Sequence, residues 1–124
     1  MKLYESAEDY LESILMLRIS KGYVRSIDVA TDRGFSKPSV SRAMKNLRTD
    51  GYIEMDEKGY ISLTEKGEAV AQSVYERHKL FSSMLIKLGV DEETALKDAC
   101  RMEHALSPES FSKIKAYVEK HLND

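Results

Sequence analysis

The sequence predicts a mainly α-helical protein, an N-terminal winged helix-turn-helix followed by an all-helical unit. Three observations carry that prediction. Apolar residues recur at helical spacing over most of the chain, and one short stretch after Gly51 switches to a period of two. Two short helical patterns separated by a Gly- and Pro-marked turn stand just before that switch. Helix, helix, turn, helix and hairpin is the element order of a winged helix-turn-helix.

Ser6 is the expected cap of a first helix with apolar Tyr10, Leu11, Ile14, Leu15 and Leu17, stopping near Lys21-Gly22. A second helix, from about Ser26 to Arg33, presents Ile27, Val29 and Ala30 and is halted by Gly34. Phe35-Ser36-Lys37-Pro38 reads as a turn in which Ser36 caps a third helix and Pro38 is tolerated in its first turn. That helix places Val40, Ala43, Met44 and Leu47 on one face and ends by Asp50-Gly51. YIEMDEKGYISLT then alternates around Lys58-Gly59 as a two-stranded hairpin does. Thr64 can cap a long fourth helix running to about Leu88, with Phe81, Met84, Leu85 and Leu88 along one stripe and Gly89 as its stop. Asp91 to Leu106 reads as a fifth helix. Ser107-Pro108-Glu109 starts the last, with Phe111, Ile114, Val118 and Leu122 facing inward. The expected domains are residues 1–63 and 64–124.

A chain of 124 residues bounds the answer to one core or a small domain with a helical appendage, and excludes a large multidomain enzyme. Apolar residues at 42% and charged ones at 32% describe a globular chain rather than a disordered tail. There is no apolar run long enough to span a membrane, and MKLYESAEDYLES lacks the basic flank and apolar stretch of a secretory signal. A cytoplasmic location with no membrane partner is expected. The single cysteine fits a reducing compartment.

The net charge of −2 argues against nucleic-acid binding only on average. Lys37, Arg42, Lys45 and Arg48 fall in a twelve-residue stretch without Asp or Glu, and a phosphate backbone responds to local charge. Ser36, Lys37, Pro38, Ser39, Ser41, Arg42 and Lys45 lie on or near the N-terminal part of the third helix, where helix-turn-helix proteins touch phosphates and base edges. Arg42 is the candidate for base readout, since arginine grips guanine with two hydrogen bonds. Lys58 in the wing would lie along the backbone. The plain alternative is a helical hairpin with a solvated basic face; the hairpin directly after Gly51 favours double-stranded DNA.

In DACRMEH, Cys100, Glu103 and His104 stand at i, i+3 and i+4, so a helix would put thiol, carboxylate and imidazole on one face. Three ligands need partners from elsewhere. Asp9 and Glu12, three apart in the first helix, and His78 in the fourth are candidates. Each has an ordinary reading beside this one: Asp9 as part of a capping box with Ser6, Glu12 as a solvated acid, His78 as a hydrogen-bonded surface imidazole, Cys100 as a small core hydrophobe.

The segments AEDYLESILML, KPSVSRAMKNL, DGYI, LTEKGEAVA, ERHKLF, GVDEE and DACRMEHALS occur in the order and spacing of a known family. The chain resembles the iron- and manganese-dependent repressors, the family of the diphtheria toxin repressor and the manganese transport regulator. The resemblance implies a homodimeric, metal-dependent repressor of metal-homeostasis genes that binds a palindromic operator, in a two-domain form without an SH3-like third domain. It also implies metal ligation by Asp9, Glu12, His78, Cys100, Glu103 and His104. Asp9, Glu12, Glu103 and a Cys100 thiolate would gather four negative charges, which two divalent ions of Fe(II) or Mn(II) per subunit would cancel, and the soft thiolate should shift preference towards Fe(II) and, in vitro, towards Co(II), Ni(II) or Zn(II). Cys100 stands where manganese-type members carry Glu and iron-type members carry Cys, whereas Asp9 matches the manganese type. Ser82 and Leu96 do not match the acidic residue and histidine of the iron-type ancillary site. Two other readings compete: a winged-helix regulator answering to an organic effector or a partner protein, and a dinuclear metal hydrolase. The hydrolase lacks HExxH, P-loop and GxSxG motifs.

Overall fold

The computed structural model describes residues 5–122. Its elements are α1 (Glu5–Lys21), α2 (Ser26–Arg33), α3 (Lys37–Thr49), β1 (Ile53–Met55), β2 (Ile61–Leu63), α4 (Glu65–Lys87), α5 (Glu92–Met102) and α6 (Pro108–His121). The fold class is the expected one, helical with a two-stranded wing. The chain separates into two compact units, Met1–Ser73 and Val74–Asp124, with the division falling inside α4.

In the first unit α1 is buried through six consecutive residues, Tyr10 to Leu15. A helix surrounded in this way buries polar residues along with apolar ones, and here Glu12 and Ser13 go under with Leu11, Ile14 and Leu15. Val29, Val40, Met44, Leu47, Ile53 and Ile61 complete the core of α2, α3 and the wing. The predicted cap Ser6 is not a cap: α1 is already under way at Glu5. Its N-cap lies outside the described residues. Gly34 closes α2 in the left-handed conformation (φ 70°), and Ser36 caps α3 by accepting from Ser39 N at 3.3 Å, with Pro38 in the first turn.

The wing pairs Ile53 with Leu63, Glu54 with Ser62 and Met55 with Ile61, antiparallel. Its tip is an Asx turn in which Asp56 Oδ1 accepts from Lys58 N and Tyr60 N, both at 2.9 Å. Thr64 joins the wing to α4. Its hydroxyl donates to Gly51 O at 2.7 Å and accepts from Gly67 N at 3.1 Å, capping α4 as predicted.

In the second unit Val74, Phe81, Ala95, Ala99 and Val118 are buried, and Phe81 meets Phe111 edge to face at 5.8 Å. α4 ends at Lys87, next to the expected limit, where Val90 N turns back to Leu85 O and Leu88 is 63% exposed. One expectation is corrected here. The fifth helix stops at Met102 rather than Leu106, and residues 103–106 form a turn. Ser107 must begin α6, accepting from Ser110 N at 3.1 Å, so the chain has to leave the α5 axis before it.

Candidate metal centre and nucleic-acid interface

The early end of α5 shapes the site. Cys100 sits in the last helical turn, and Glu103 keeps helical backbone angles as the C-cap, its N–H still donating to Ala99 O. Glu103 therefore retains the helical spacing to Cys100, while His104 is the first residue beyond. Arg77 of α4 reaches over the turn, donating from Nη1 to Glu103 O at 3.2 Å and to Leu106 O at 2.6 Å, with its guanidinium 5.0 Å over the Phe111 ring. It supplies the partners that carbonyls at a helix end lack.

The Glu103 carboxylate is fully buried between two imidazoles, with His78 Nδ1 3.1 Å from Oε2 and His104 Nε2 3.3 Å from Oε1. Oε1 makes no hydrogen bond, since the His104 approach falls outside hydrogen-bond geometry. His78 is one residue from Arg77, and its backbone carbonyl accepts from the Ser82 hydroxyl at 2.7 Å. The donor atoms of His78, Cys100 and Glu103 all lie within 4.8 Å of one another. Two ligands of one divalent ion, each about 2.0–2.4 Å from it, are at most about 4.8 Å apart, so these three fit a common ion. An imidazole, a thiolate and a carboxylate are also a chemically apt set for a first-row transition metal.

Asp9 and Glu12 lie in the first unit, three residues apart on α1, Asp9 half-buried and Glu12 1% exposed. Arg33 of α2 forms an ion pair with Glu12 Oε1 at 3.4 Å. The structure thus gathers His78, Cys100, Glu103 and His104 within the second unit. Sequence reasoning missed Arg77 and Arg33, which act through contacts 26 to 29 and 21 residues away respectively. No local pattern announces such contacts.

The side chains nominated from sequence for DNA contact lie on α3 and the wing. Ser36, Lys37, Pro38, Ser41, Arg42 and Lys45 are exposed and Ser39 is half-buried. Ser36 Oγ donates to Ser39 Oγ at 2.9 Å, and Arg42 Nη2 donates to the same oxygen at 3.5 Å, leaving the rest of the guanidinium facing outward. Ser26, Ile27, Lys37 and Ser41 line a shallow recess between α2 and α3. Exposed Lys58 is fixed at the wing tip because Arg25 Nη2 donates to its carbonyl at 2.7 Å while the guanidinium lies 5.3 Å over Tyr60.

A family model for the iron dependent repressor N-terminal DNA-binding domain matches residues 2–61, and one for the iron dependent repressor metal-binding and dimerisation domain matches residues 64–124. The chain belongs to the iron-dependent repressor family. Its relatives include the transcriptional regulator MntR of Escherichia coli O6:H1, 38% identical over 117 residues that cover 94% of this chain and 76% of that protein. The HTH-type transcriptional regulator MntR of Bacillus subtilis is 35% identical over 114 residues, covering 92% of this chain and 80% of the relative. Among solved structures, a manganese-dependent transcriptional repressor in complex with manganese superposes with a TM-score of 0.82 at 27% identity. The match covers 90% of this chain and 52% of that one, so the chain spans about half of that protein. As a member of this family the protein is a metal-dependent transcriptional repressor that binds operator DNA as a homodimer, and not an enzyme. Among the described residues no helix is long and apolar enough to cross a membrane.

Proposed function

We propose that this protein is a cytoplasmic Fe(II)- or Mn(II)-dependent repressor of metal-ion homeostasis genes, in which metal binding orders the dimer for a palindromic operator. The observation that carries this reading is the Glu103 carboxylate, fully buried between His78 and His104 with the Cys100 thiol in reach. A carboxylate taken out of water is costly unless a cation balances it. His78 and His104 as neutral donors, Cys100 as thiolate and the Glu103 carboxylate would hold a divalent ion there, and such an ion would supply that charge. The sequence resemblance adds Asp9 and Glu12 to the ligand set, and the four negative charges of Asp9, Glu12, Glu103 and a Cys100 thiolate favour two ions per subunit.

In this reading residues 1–63 read DNA through Ser36, Lys37, Pro38, Ser39, Ser41, Arg42, Lys45 and Lys58, and residues 64–124 hold metal and dimerise. Ile86, Leu88, Leu96 and Tyr117 of the second unit are exposed apolar side chains suited to covering by a second copy. The soft Cys100 sulfur shifts preference from Mn(II) towards Fe(II). Anaerobic titration of Mn(II) and Fe(II) into a labelled-operator assay tests the proposal. A metal-dependent gain of about 5- to 150-fold in operator affinity is expected, the range of an ordinary allosteric coupling. Equal binding with and without metal would sink it and favour a non-metal effector.

A further inference from the structure

Arg33 is the last residue of α2, immediately before the Gly34 turn that leads into the DNA-reading helix. Its Nη2 donates to Glu12 Oε1 at 3.4 Å, and its Nε approaches Asp32 Oδ2 at 3.5 Å without forming a hydrogen bond. Asp32 is itself anchored, its Oδ2 accepting from the buried Ser13 hydroxyl at 2.8 Å. Neighbouring residues of α1, Glu12 and Ser13, therefore engage neighbouring residues of α2, Arg33 and Asp32.

The quality of the Arg33 contacts is informative because the same unit contains an arginine that is fully committed to one acid. Arg18 grips Glu68 with two nitrogens on two oxygens, both at 2.7 Å. That is the fork geometry a guanidinium and a carboxylate adopt when nothing else competes. Arg33 instead stands between two carboxylates at 3.4 and 3.5 Å, with its side chain 18% exposed and that of Glu12 only 1% exposed. Its charge balances a buried acid without holding that acid tightly, and a second carboxylate is in place when the first is taken.

We propose that Arg33 is a built-in counter-cation to Glu12, competing with metal for its carboxylate and so setting the metal concentration at which the repressor responds. The proposal rests on Glu12 being a ligand, as proposed above. In metal-free protein Arg33 supplies positive charge to Glu12. When a divalent ion shares that carboxylate, Arg33 relaxes towards Asp32, so loading metal does not strand a half-buried guanidinium. An opposite charge at this range typically alters the proton affinity of a carboxylate by about one to three powers of ten; a metal cation feels the same repulsion, and the long, shared contact places the effect near the lower end.

The test is calorimetric titration of Mn(II) alone into metal-free dimer of the wild type, Arg33→Met, Arg33→Lys and Glu12→Gln, with melting curves of each without and with Mn(II). Arg33→Met should bind Mn(II) about ten-fold more tightly than wild type. Its metal-free form should melt lower and its Mn(II)-induced rise in Tm should be larger. Arg33→Lys, which keeps the charge, should stay within about three-fold of wild type. Wild-type or weaker affinity in Arg33→Met overturns the proposal. If Arg33→Met folds only with Mn(II), the proposal stands; if it folds in neither state, Arg33→Gln is read in its place, and failure of that variant too makes Arg33 a packing residue. Glu12→Gln separates the two readings: wild-type affinity there removes the basis for Arg33 alone, whereas a wild type that takes up no Mn(II) overturns the metal reading itself.

Discussion

Arg77→Met isolates the positioning of the proposed metal site from its chemistry. Methionine keeps an apolar stem of similar length but removes both charge-assisted donors, at 3.2 Å to Glu103 O and 2.6 Å to Leu106 O, and the guanidinium over Phe111. A hydrogen bond from a charged donor contributes about 1.5–3 kcal/mol when removed, and the cation–π contact about 0.5–1 kcal/mol. Water can reach a half-buried turn and restores part of this, so a net loss of about 2 kcal/mol is expected. For a chain of this size that lowers Tm by roughly 8 °C, measurable by circular dichroism. Because the loosened turn carries Glu103 and His104, Mn(II) affinity should fall about ten-fold although no proposed ligand has been touched; a coupling of about 1.4 kcal/mol suffices. Arg77→Lys should recover only part of either effect, since an ammonium keeps the charge but not the planar guanidinium over Phe111. A variant with wild-type melting and wild-type Mn(II) affinity would refute the idea that Arg77 holds the turn in place.

Three further outcomes are expected. Cys100→Glu should raise the response to Mn(II) relative to Fe(II) by replacing a soft donor with a hard one, read by operator binding under each metal; identical selectivity would remove Cys100 from the ligand set. The Arg18 guanidinium, with a further hydrogen bond from Gln72, holds the Glu68 carboxyl at about 2, below its ordinary 4.5. A carboxyl depressed on folding stabilises the protein fully above about 4.5, and that stability is lost as pH falls towards about 2. Solvent screening limits it to about 1 kcal/mol, and Glu68→Gln should flatten the acid limb of metal-free unfolding by that amount. Gly67→Ala should cost about 3 kcal/mol in chemical denaturation, because its Cβ would collide with the Tyr52 carbonyl oxygen and lie 2.9 Å from the carbonyl carbon, backbone that cannot swing aside.

The sequence by itself determined the order of elements, the capped starts at Ser36, Thr64 and Ser107, the glycine stop at Gly34 and the wing. Each of these is set by residues within a few positions of one another, through periodicity, capping and turn chemistry. It also made the exposed face of α3, proposed above to read DNA, legible, because that exposure follows from the Val40, Met44 and Leu47 face being buried. Tertiary structure decided what local pattern could not. The Ser107 cap requires the chain to leave the α5 axis, but where it does so, at Met102 rather than Leu106, is set with an arginine arriving from α4 to bond the carbonyls of Glu103 and Leu106. The bracketing of Glu103 by His78 and His104, and the loose sharing of Arg33 between Glu12 and Asp32, are likewise meetings of distant residues. Spacing nominates donors along one helix face, but only packing fixes which charges are buried together, and that burial makes a carboxylate require a cation.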